Sequence, residues 1–412
     1  MLKKISTTQL RPGMHVHELC GSWMDTPFWQ KSFTLSSDDD LKKIVESGIK
    51  EAWIDTSKGR DIDEAGHLYK NKGADASPSA AAPQAAVSGD DQKIKPATLQ
   101  EEFGRASRIV SRSREAVFAM FNEARMGKAV DVSEAKSLVE EISLSIMRNP
   151  NALIGLARLK STDDYTYMHS VAVCALMVAL AKQLGLSKEQ TRDAGMAGLM
   201  HDIGKMAVDQ SILNKPGRLT DEEFVAMKLH PQSGHQILLQ AGITNETVLE
   251  VCLHHHEKID GTGYPHGLKG DQISLYTRMG AICDIYDAIT SDRAYKSGWC
   301  PAESLRRMAE WCNGHLDEKV FQAFVKSIGI YPIGTLVRMT SGRLGIVVEQ
   351  QAHKSLLTPK VRLFFSSKSM TYIQPELIDL SHPSTQDKIA GHENASKWDF
   401  KDMNRYWLEQ QE

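Results

Sequence analysis

The sequence predicts a mainly α protein, an all-helical domain with a small α/β module before it and a small β-extension after it. Three observations carry this reading. Residues 98 to 330 hold apolar positions at 3.6-residue spacing between recurrent helix-start signals. Residues 1 to 72 mix short strand-like and helical stretches, and a polar segment at 73 to 97 sets them apart. From residue 331 to 412 the texture turns to short β-branched runs divided by turn residues.

In the first module, Met14-His15-Val16-His17 alternates like a strand, Asp39 to Ser47 reads as a short helix, and Ile49 to Ile54 as another strand. His15 and His17 share a strand face that could suit a metal. With no third ligand near them, they read as solvent-facing. Trp23, Phe28 and Trp29 are expected in the module's core. Residues 73 to 97 are rich in Ala, Ser and Pro and nearly free of large apolar groups, so a flexible linker is expected.

The helical domain opens with an apolar stripe through Leu99, Phe103, Ala106, Ile109, Val110, Val117, Met120 and Phe121. Asp131 to Glu134, Ser187 to Gln190 and Thr220 to Glu223 each resemble a capping box. Pro150, Gly185 and Gly261-Thr262-Gly263 punctuate the helices. Beyond Tyr331-Pro332, strands are expected at Thr335 to Met339, Gly345 to Glu349 and Val361 to Phe365. The polar tail reads as peripheral, with Trp398, Tyr406 and Trp407 docking a terminal helix.

Of 412 residues, 41% are apolar and 25% charged, the balance of an ordinary globular protein. A formal charge of −3 leaves no basic excess for polymeric nucleic acid or an anionic membrane surface. The N-terminus lacks an apolar stretch behind its lysines, so no secretory signal is expected. The longest apolar run, Val171 to Ala181, falls short of the about 20 residues a bilayer requires. The six cysteines are scattered without a paired motif and read as free thiols. These features together predict a cytoplasmic protein.

The chemistry concentrates in His169, His201-Asp202, His230, His255-His256 and Asp284. Imidazole and carboxylate together suit divalent metals such as Fe, Mn or Zn, and helices can aim such ligands inward from several directions. A lone histidine on a helix is an ordinary satisfied or solvated side chain. Asp202, by contrast, follows the small apolar run Ala194 to Met200, and a carboxylate ending a buried helix requires a partner. The triple His254-His255-His256 follows an apolar stretch and precedes a glycine-rich loop, the position of a helix end facing a cleft.

The stretch His255-His256-Glu257-Lys258-Ile259-Asp260-Gly261-Thr262-Gly263-Tyr264-Pro265 resembles the signature H-H-E-x-x-D-G-x-G-Y-P of the HD-GYP phosphodiesterases at every fixed position. His201-Asp202-Ile203-Gly204-Lys205, Lys228-x-His230-Pro231, and the segment from Asp284 to Tyr295 extend the match over about residues 150 to 330. The first module is similar to the small domain often fused ahead of such domains. The resemblance implies an HD-type all-helical catalytic domain that hydrolyses cyclic di-GMP, a bacterial second messenger, to linear pGpG or GMP. It implies two divalent metals, Fe or Mn favoured with Zn, Ni or Mg open. His169, His201, Asp202 and Asp284 would bind the first, and Asp202 would bridge to a second held by His230, His255 and His256. Two such metals can share a nucleophilic hydroxide and clamp the phosphate in line with it. Lys205 would reach the scissile phosphate, with Arg293 and Lys296 holding ligand phosphates. Gly263, Tyr264 and Pro265 belong to a loop linked to signalling-protein partners as well as to site architecture. Where some members carry a Glu that supports a third metal, this chain has Tyr165, so two metals are expected. A homodimer is left open. Two rivals stand beside this reading: hydrolysis of 3′,3′-cyclic GMP-AMP at the same centre, and a cyclic-dinucleotide receptor with little turnover.

Overall fold

The computed structural model describes residues 2–20, 32–35, 37–46, 49–61, 94–128, 132–158, 165–292, 298–351, 354–398, 400, 403 and 405–408. The chain divides into two compact units, 1–95 and 96–412.

In the first unit the order is β1 (Leu2–Ser6), β2 (His15–Leu19), β3 (Phe33–Thr34), α1 (Asp38–Glu46) and β4 (Glu51–Asp55). The strands form one antiparallel sheet in the order β1-β4-β2-β3. Ile5 faces Ala52 and Val16 faces Ile54, and with Leu10, Leu35 and Ile44 they make a small core. His17 is exposed, and His15 hydrogen-bonds the hydroxyls of Thr34 and Ser32 at 2.9 and 2.8 Å. Trp23, Phe28 and Trp29, expected in this core, lie outside the described residues, as do most of 73 to 97. β1 and β3 were not foreseen. β1 carries one buried apolar side chain, Ile5, beside two lysines, too little to show a period.

The second unit begins with α2 (Leu99–Arg125), α3 (Val132–Arg148), α4 (Pro150–Arg158), α5 (Tyr165–Gln183) and α6 (Lys188–Met200). It continues with α7 (Gln210–Leu213), α8 (Asp221–Met227), α9 (His230–Gln240), α10 (Glu246–His254), α11 (Leu275–Thr290), α12 (Pro301–Trp311) and α13 (Glu318–Ile328). Capping boxes start α6 at Ser187 and α8 at Thr220, and a further one starts α2, where Thr98 and Glu101 cap each other. The expected box at Asp131 lies outside the described residues.

α5 is apolar on every face and buried without a break from Met168 to Ala181, the pattern of a core helix. By length and composition it could cross a bilayer, but 78% of its apolar window is buried inside the protein. Helices α2, α3, α4, α6, α11 and α13 pack around it.

The sheet of the second unit is antiparallel, in the order β8-β7-β6-β5-β9, from β5 (Leu336–Met339), β6 (Arg343–Glu349), β7 (Lys360–Ser366), β8 (Thr371–Asp379) and β9 (Ile389–His392). The mainly α class with small flanking sheets is thus observed. β8 and β9 extend the sheet beyond the three strands foreseen, so part of the tail is an integral edge rather than peripheral. A last turn, α14 (Arg405–Leu408), docks on this sheet. Tyr406 stacks on Phe364 at 4.2 Å, and Trp407 Nε1 donates to the Val348 carbonyl at 3.3 Å.

Candidate metal centre

Three helix ends, one 3₁₀ turn and two helix interiors deliver the site. His169 projects from α5, and Asp284 from α11 packed beside it. His201 caps the end of α6, and Asp202 opens a 3₁₀ turn over Ile203–Ala207. His230 starts α9, while His255 and His256 follow the end of α10. The backbones must approach closely for these ends to meet. A Cβ on Gly204 would lie 1.9 Å from the His230 carbonyl oxygen and 2.4 Å from the Gly234 nitrogen. Glycine at 204 therefore lets the turn after Asp202 seat directly on the start of α9.

All seven residues come together. The donor atoms of His169, His201 and Asp202 lie within 4.8 Å of one another, and so do those of His230, His255 and His256. Asp202 stands between the two groups. Its Oδ2 is 3.4 Å from both His169 Nε2 and His201 Nε2, and its Oδ1 is 3.3 Å from His230 Nε2 and 3.7 Å from His255 Nε2. Asp284 Oδ1 is 3.0 Å from His169 Nε2, and its Oδ2 is 3.9 Å from His256 Nδ1.

The outer nitrogens fix the tautomers. His201 Nδ1 donates to the Gly198 carbonyl at 2.8 Å, His230 Nδ1 to Met227 at 2.7 Å, and His255 Nδ1 to Val251 and Cys252, each at 3.1 Å. A carbonyl only accepts, so each Nδ1 carries the proton and each Nε2 turns a lone pair inward. His169 Nδ1 donates to Asp287 Oδ2 at 2.6 Å. This is the outer-partner pattern of metal-binding histidines.

The set fits divalent cations. His201 Nε2 and Asp202 Oδ1 are buried with no hydrogen-bond partner, a costly state for polar atoms unless a cation satisfies them. His230 Nε2 and His255 Nε2 face each other at 3.3 Å with both lone pairs inward, a repulsion that a cation between them would relieve. Ligation requires neutral imidazole and carboxylate, and His255, His256, Asp202 and Asp284 are shifted that way, whereas Asp284 and Asp287 raise His169 against its burial. Burial holds the His255 imidazole well below its usual range, helped by its histidine neighbours, and burial pushes His256 down to about 3. Burial opposes the charge on Asp202, but Lys205 and His201 outweigh it and hold the carboxyl well below the usual range. For Asp284 the close contact with the His169 imidazole outweighs burial in the same way.

Lys205 Nζ donates to Asp202 Oδ2 within the 3₁₀ turn, so its ammonium stands at the cluster's edge rather than in bulk solvent. Tyr264 stacks on the ring of His256 at 4.8 Å. A Cβ on Gly263 would meet Glu257 Cα and Lys258 N at 2.4 Å, which explains glycine there. Pro265 follows Tyr264 in the same loop. Tyr165 stacks on His169 at 5.7 Å. Arg293 and Lys296 lie outside the described residues.

Two residues given no role in the sequence reading belong to the architecture. Asp287 orients His169, and its signal was the i, i+3 spacing from Asp284, which puts both carboxylates on one face of α11. Buried Glu257 accepts from the backbone N–H groups of His266 and Leu268 at 2.7 and 3.0 Å, holding the Gly261–Gly267 loop closed.

Over 408 residues the chain is 54% identical to the cyclic di-GMP phosphodiesterase PA4108 of Pseudomonas aeruginosa, covering 99% of this chain and 96% of that one. The chain belongs to the HD-GYP phosphodiesterase family. A family model described as an HD domain matches residues 145–320, and one described as a domain of unknown function, DUF3391, matches residues 2–135. This HD-GYP phosphodiesterase is also 35% identical over 195 residues to the 3′3′-cGAMP-specific phosphodiesterase 1 of Vibrio cholerae, 47% of this chain and 44% of that one. Among solved structures it aligns with Bd1817, an HDG"Y"P protein from Bdellovibrio bacteriovorus, at TM-score 0.48 and 16% identity, covering 79% of this chain and 99% of that one. Like other HD-domain phosphohydrolases, it is a metal-dependent enzyme.

Proposed function

We propose that this phosphodiesterase hydrolyses cyclic di-GMP in the cytoplasm, to the linear dinucleotide or on to GMP, at a centre of two divalent metals. The observation that carries the reading is the division of Asp202, one carboxylate oxygen turned to each histidine group. The substrate follows from the near full-length likeness to PA4108.

His169, His201, Asp202 and Asp284 would hold one cation, and Asp202, His230, His255 and His256 the other, with Fe or Mn suiting this nitrogen and oxygen set. Two cations there supply Lewis-acid polarisation of the phosphodiester and a nucleophile at neutral pH. The chain's own residues do the rest. Asp287 and the four backbone carbonyls keep the imidazole lone pairs inward, so little reorganisation accompanies the reaction. Lys205 offers a positive charge beside Asp202, where it offsets charge gathering on the phosphoryl oxygens. Water adds across one P–O bond, leaving a phosphomonoester and a free hydroxyl, and Tyr264 covers one side of the site.

Anaerobic purification, metal analysis and turnover assays on cyclic di-GMP and 3′,3′-cyclic GMP-AMP test this together. The expected result is about two metals per chain and preferred turnover of cyclic di-GMP. Asp202→Ala should lose most metal and nearly all activity while keeping its helical circular dichroism. Full metal content with normal turnover in that variant would sink the assignment, and a preference for cyclic GMP-AMP would replace the substrate. Tight binding without turnover in the metal-loaded protein would make it a receptor.

A further inference from the structure

At the rim of the metal site, the end of α8 brings Lys228 against the ring of Tyr264. Its ammonium lies 5.4 Å from the centre of that ring and 4.7 Å from the centre of the Phe224 ring. Tyr264 in turn stacks on His256, so Lys228 is one ring removed from a candidate metal ligand. Lys228 is half-buried and forms no ion pair among the described residues, its contacts being the two aromatic faces. The neighbouring lysine differs: Lys205 is paired to Asp202 inside the cluster. Phe224 is itself exposed at 47%.

A flexible lysine confined between two π-faces gives up part of its rotamer freedom before any ligand arrives, and cation–π contact holds its charge without neutralising it. An unneutralised, partly ordered ammonium at the mouth of a phosphodiesterase site is a preformed anion contact. A cyclic dinucleotide carries two phosphates on opposite sides of its ring. With one phosphate at the metal site, the other still requires its own counter-charge.

We infer that Lys228, held between Phe224 and Tyr264, binds the second, non-scissile phosphate of the substrate and so selects cyclic dinucleotides over diesters with one phosphate. This rests on the phosphodiesterase reading above. The charge acts on a group that does not react, so it binds ground state and transition state alike and appears in KM rather than kcat.

The test compares the full-length, manganese-loaded protein with Lys228→Met and Lys228→Arg on two substrates, cyclic di-GMP and bis(p-nitrophenyl) phosphate, which has one phosphate. Lys228→Met should raise KM for cyclic di-GMP about tenfold or more. Its kcat and metal content should hold, and KM for bis(p-nitrophenyl) phosphate should move less than about twofold. Lys228→Arg should recover most of the loss. Unchanged KM for cyclic di-GMP would overturn the inference and leave an ordinary surface lysine. Equal losses on both substrates, or loss of metal, would also overturn it, because Lys228 would then be a brace for the loop at Tyr264. If the unaltered protein cleaves bis(p-nitrophenyl) phosphate but not cyclic di-GMP, the substrate reading fails and the inference falls with it.

Discussion

At the residue scale, the histidine and aspartate cluster depends on groups one layer out. Asp287 donates no atom toward the cluster interior, yet its carboxylate receives the His169 Nδ1 proton at 2.6 Å and so sets which nitrogen faces inward. Asp287→Asn keeps the volume but weakens that acceptor and can present an amide instead. Metal affinity should fall about 10- to 100-fold, the usual cost of losing such an outer partner, with the helical fold intact. Titration with a fluorescent metal competitor checks this, and unchanged affinity would show that the bond to Asp287 does nothing for ligation. Lys205 behaves differently, since it adds charge rather than orientation. Lys205→Met removes the ammonium paired to Asp202 while keeping much of the side chain's length. Turnover should fall roughly a hundredfold or more, metal should be retained, and cyclic di-GMP affinity should stay within a few-fold. Loss of affinity instead of turnover would make Lys205 a ligand anchor. The seven candidate ligands were legible in sequence because each combines a metal-binding side chain with an apolar helical context. Asp287 and Glu257 were not, because their roles exist only once α5 meets α11 and the Gly261–Gly267 loop folds back.

At the element scale, α2 and α3 are joined by a buried ion pair that periodicity does not reveal. Glu102 is fully buried, and its carboxylate accepts from Arg148 Nε and Nη2 at 2.7 and 2.8 Å, from Ser145 Oγ at 2.8 Å and from Arg105 at 3.1 Å. Burial opposes its charge, but the hydrogen bonds from Arg148 and Ser145 outweigh it and lower the carboxyl below its usual range. A group whose folded pKa is depressed stabilises the fold above its unfolded pKa, about 4.3 for Glu, and loses that contribution as pH falls through the folded value. Glu102→Ala should cost roughly 3–5 kcal/mol near neutral pH by stranding Arg148. The gap between parent and variant in urea unfolding should narrow as pH drops below about 4. A gap independent of pH would mean the pair contributes by packing alone. Helices were readable here because Ser187, Thr220 and the stripe through Ala106, Ile109 and Phe121 announce starts and faces locally. β8 and β9 were not. β8 exposes both faces along much of its length and carries Pro375, while β9 is the four-residue Ile-Ala-Gly-His, with little strand propensity, whose pairing to β5 is decided by the fold.

At the scale of the molecule, what must be kept together for activity follows from where each unit closes. The second unit seals its own beginning. Ala97 N donates to the Arg148 carbonyl at 3.1 Å, Asn149 Nδ2 donates back to the Ala97 carbonyl at 3.1 Å, and Thr98 with Glu101 caps α2. Every candidate ligand, from His169 to Asp284, lies inside it. A fragment of residues 96–412 should therefore fold, bind metal and hydrolyse cyclic di-GMP within a few-fold of the full chain. The sheet cannot be trimmed in the same way. Asn151 of α4 and Gln350 after β6 exchange two hydrogen bonds of 3.0 Å, and the Trp407 ring lies so close to Gly155 that a Cβ there would meet it at 2.3 Å. Phe103 of α2 and Leu156 of α4 complete the apolar cluster that the sheet and α14 share. Ending the chain at residue 330 strips these partners from two helices that pack on α5, the helix that carries His169. The shorter fragment, 96–330, should aggregate or unfold with a lower thermal midpoint and bind little metal. Thermal unfolding, metal content and turnover of both fragments decide the matter. A well-folded, active 96–330 would make the sheet an accessory. A folded but inactive 96–412 would mean that residues 1–95 complete or control the site.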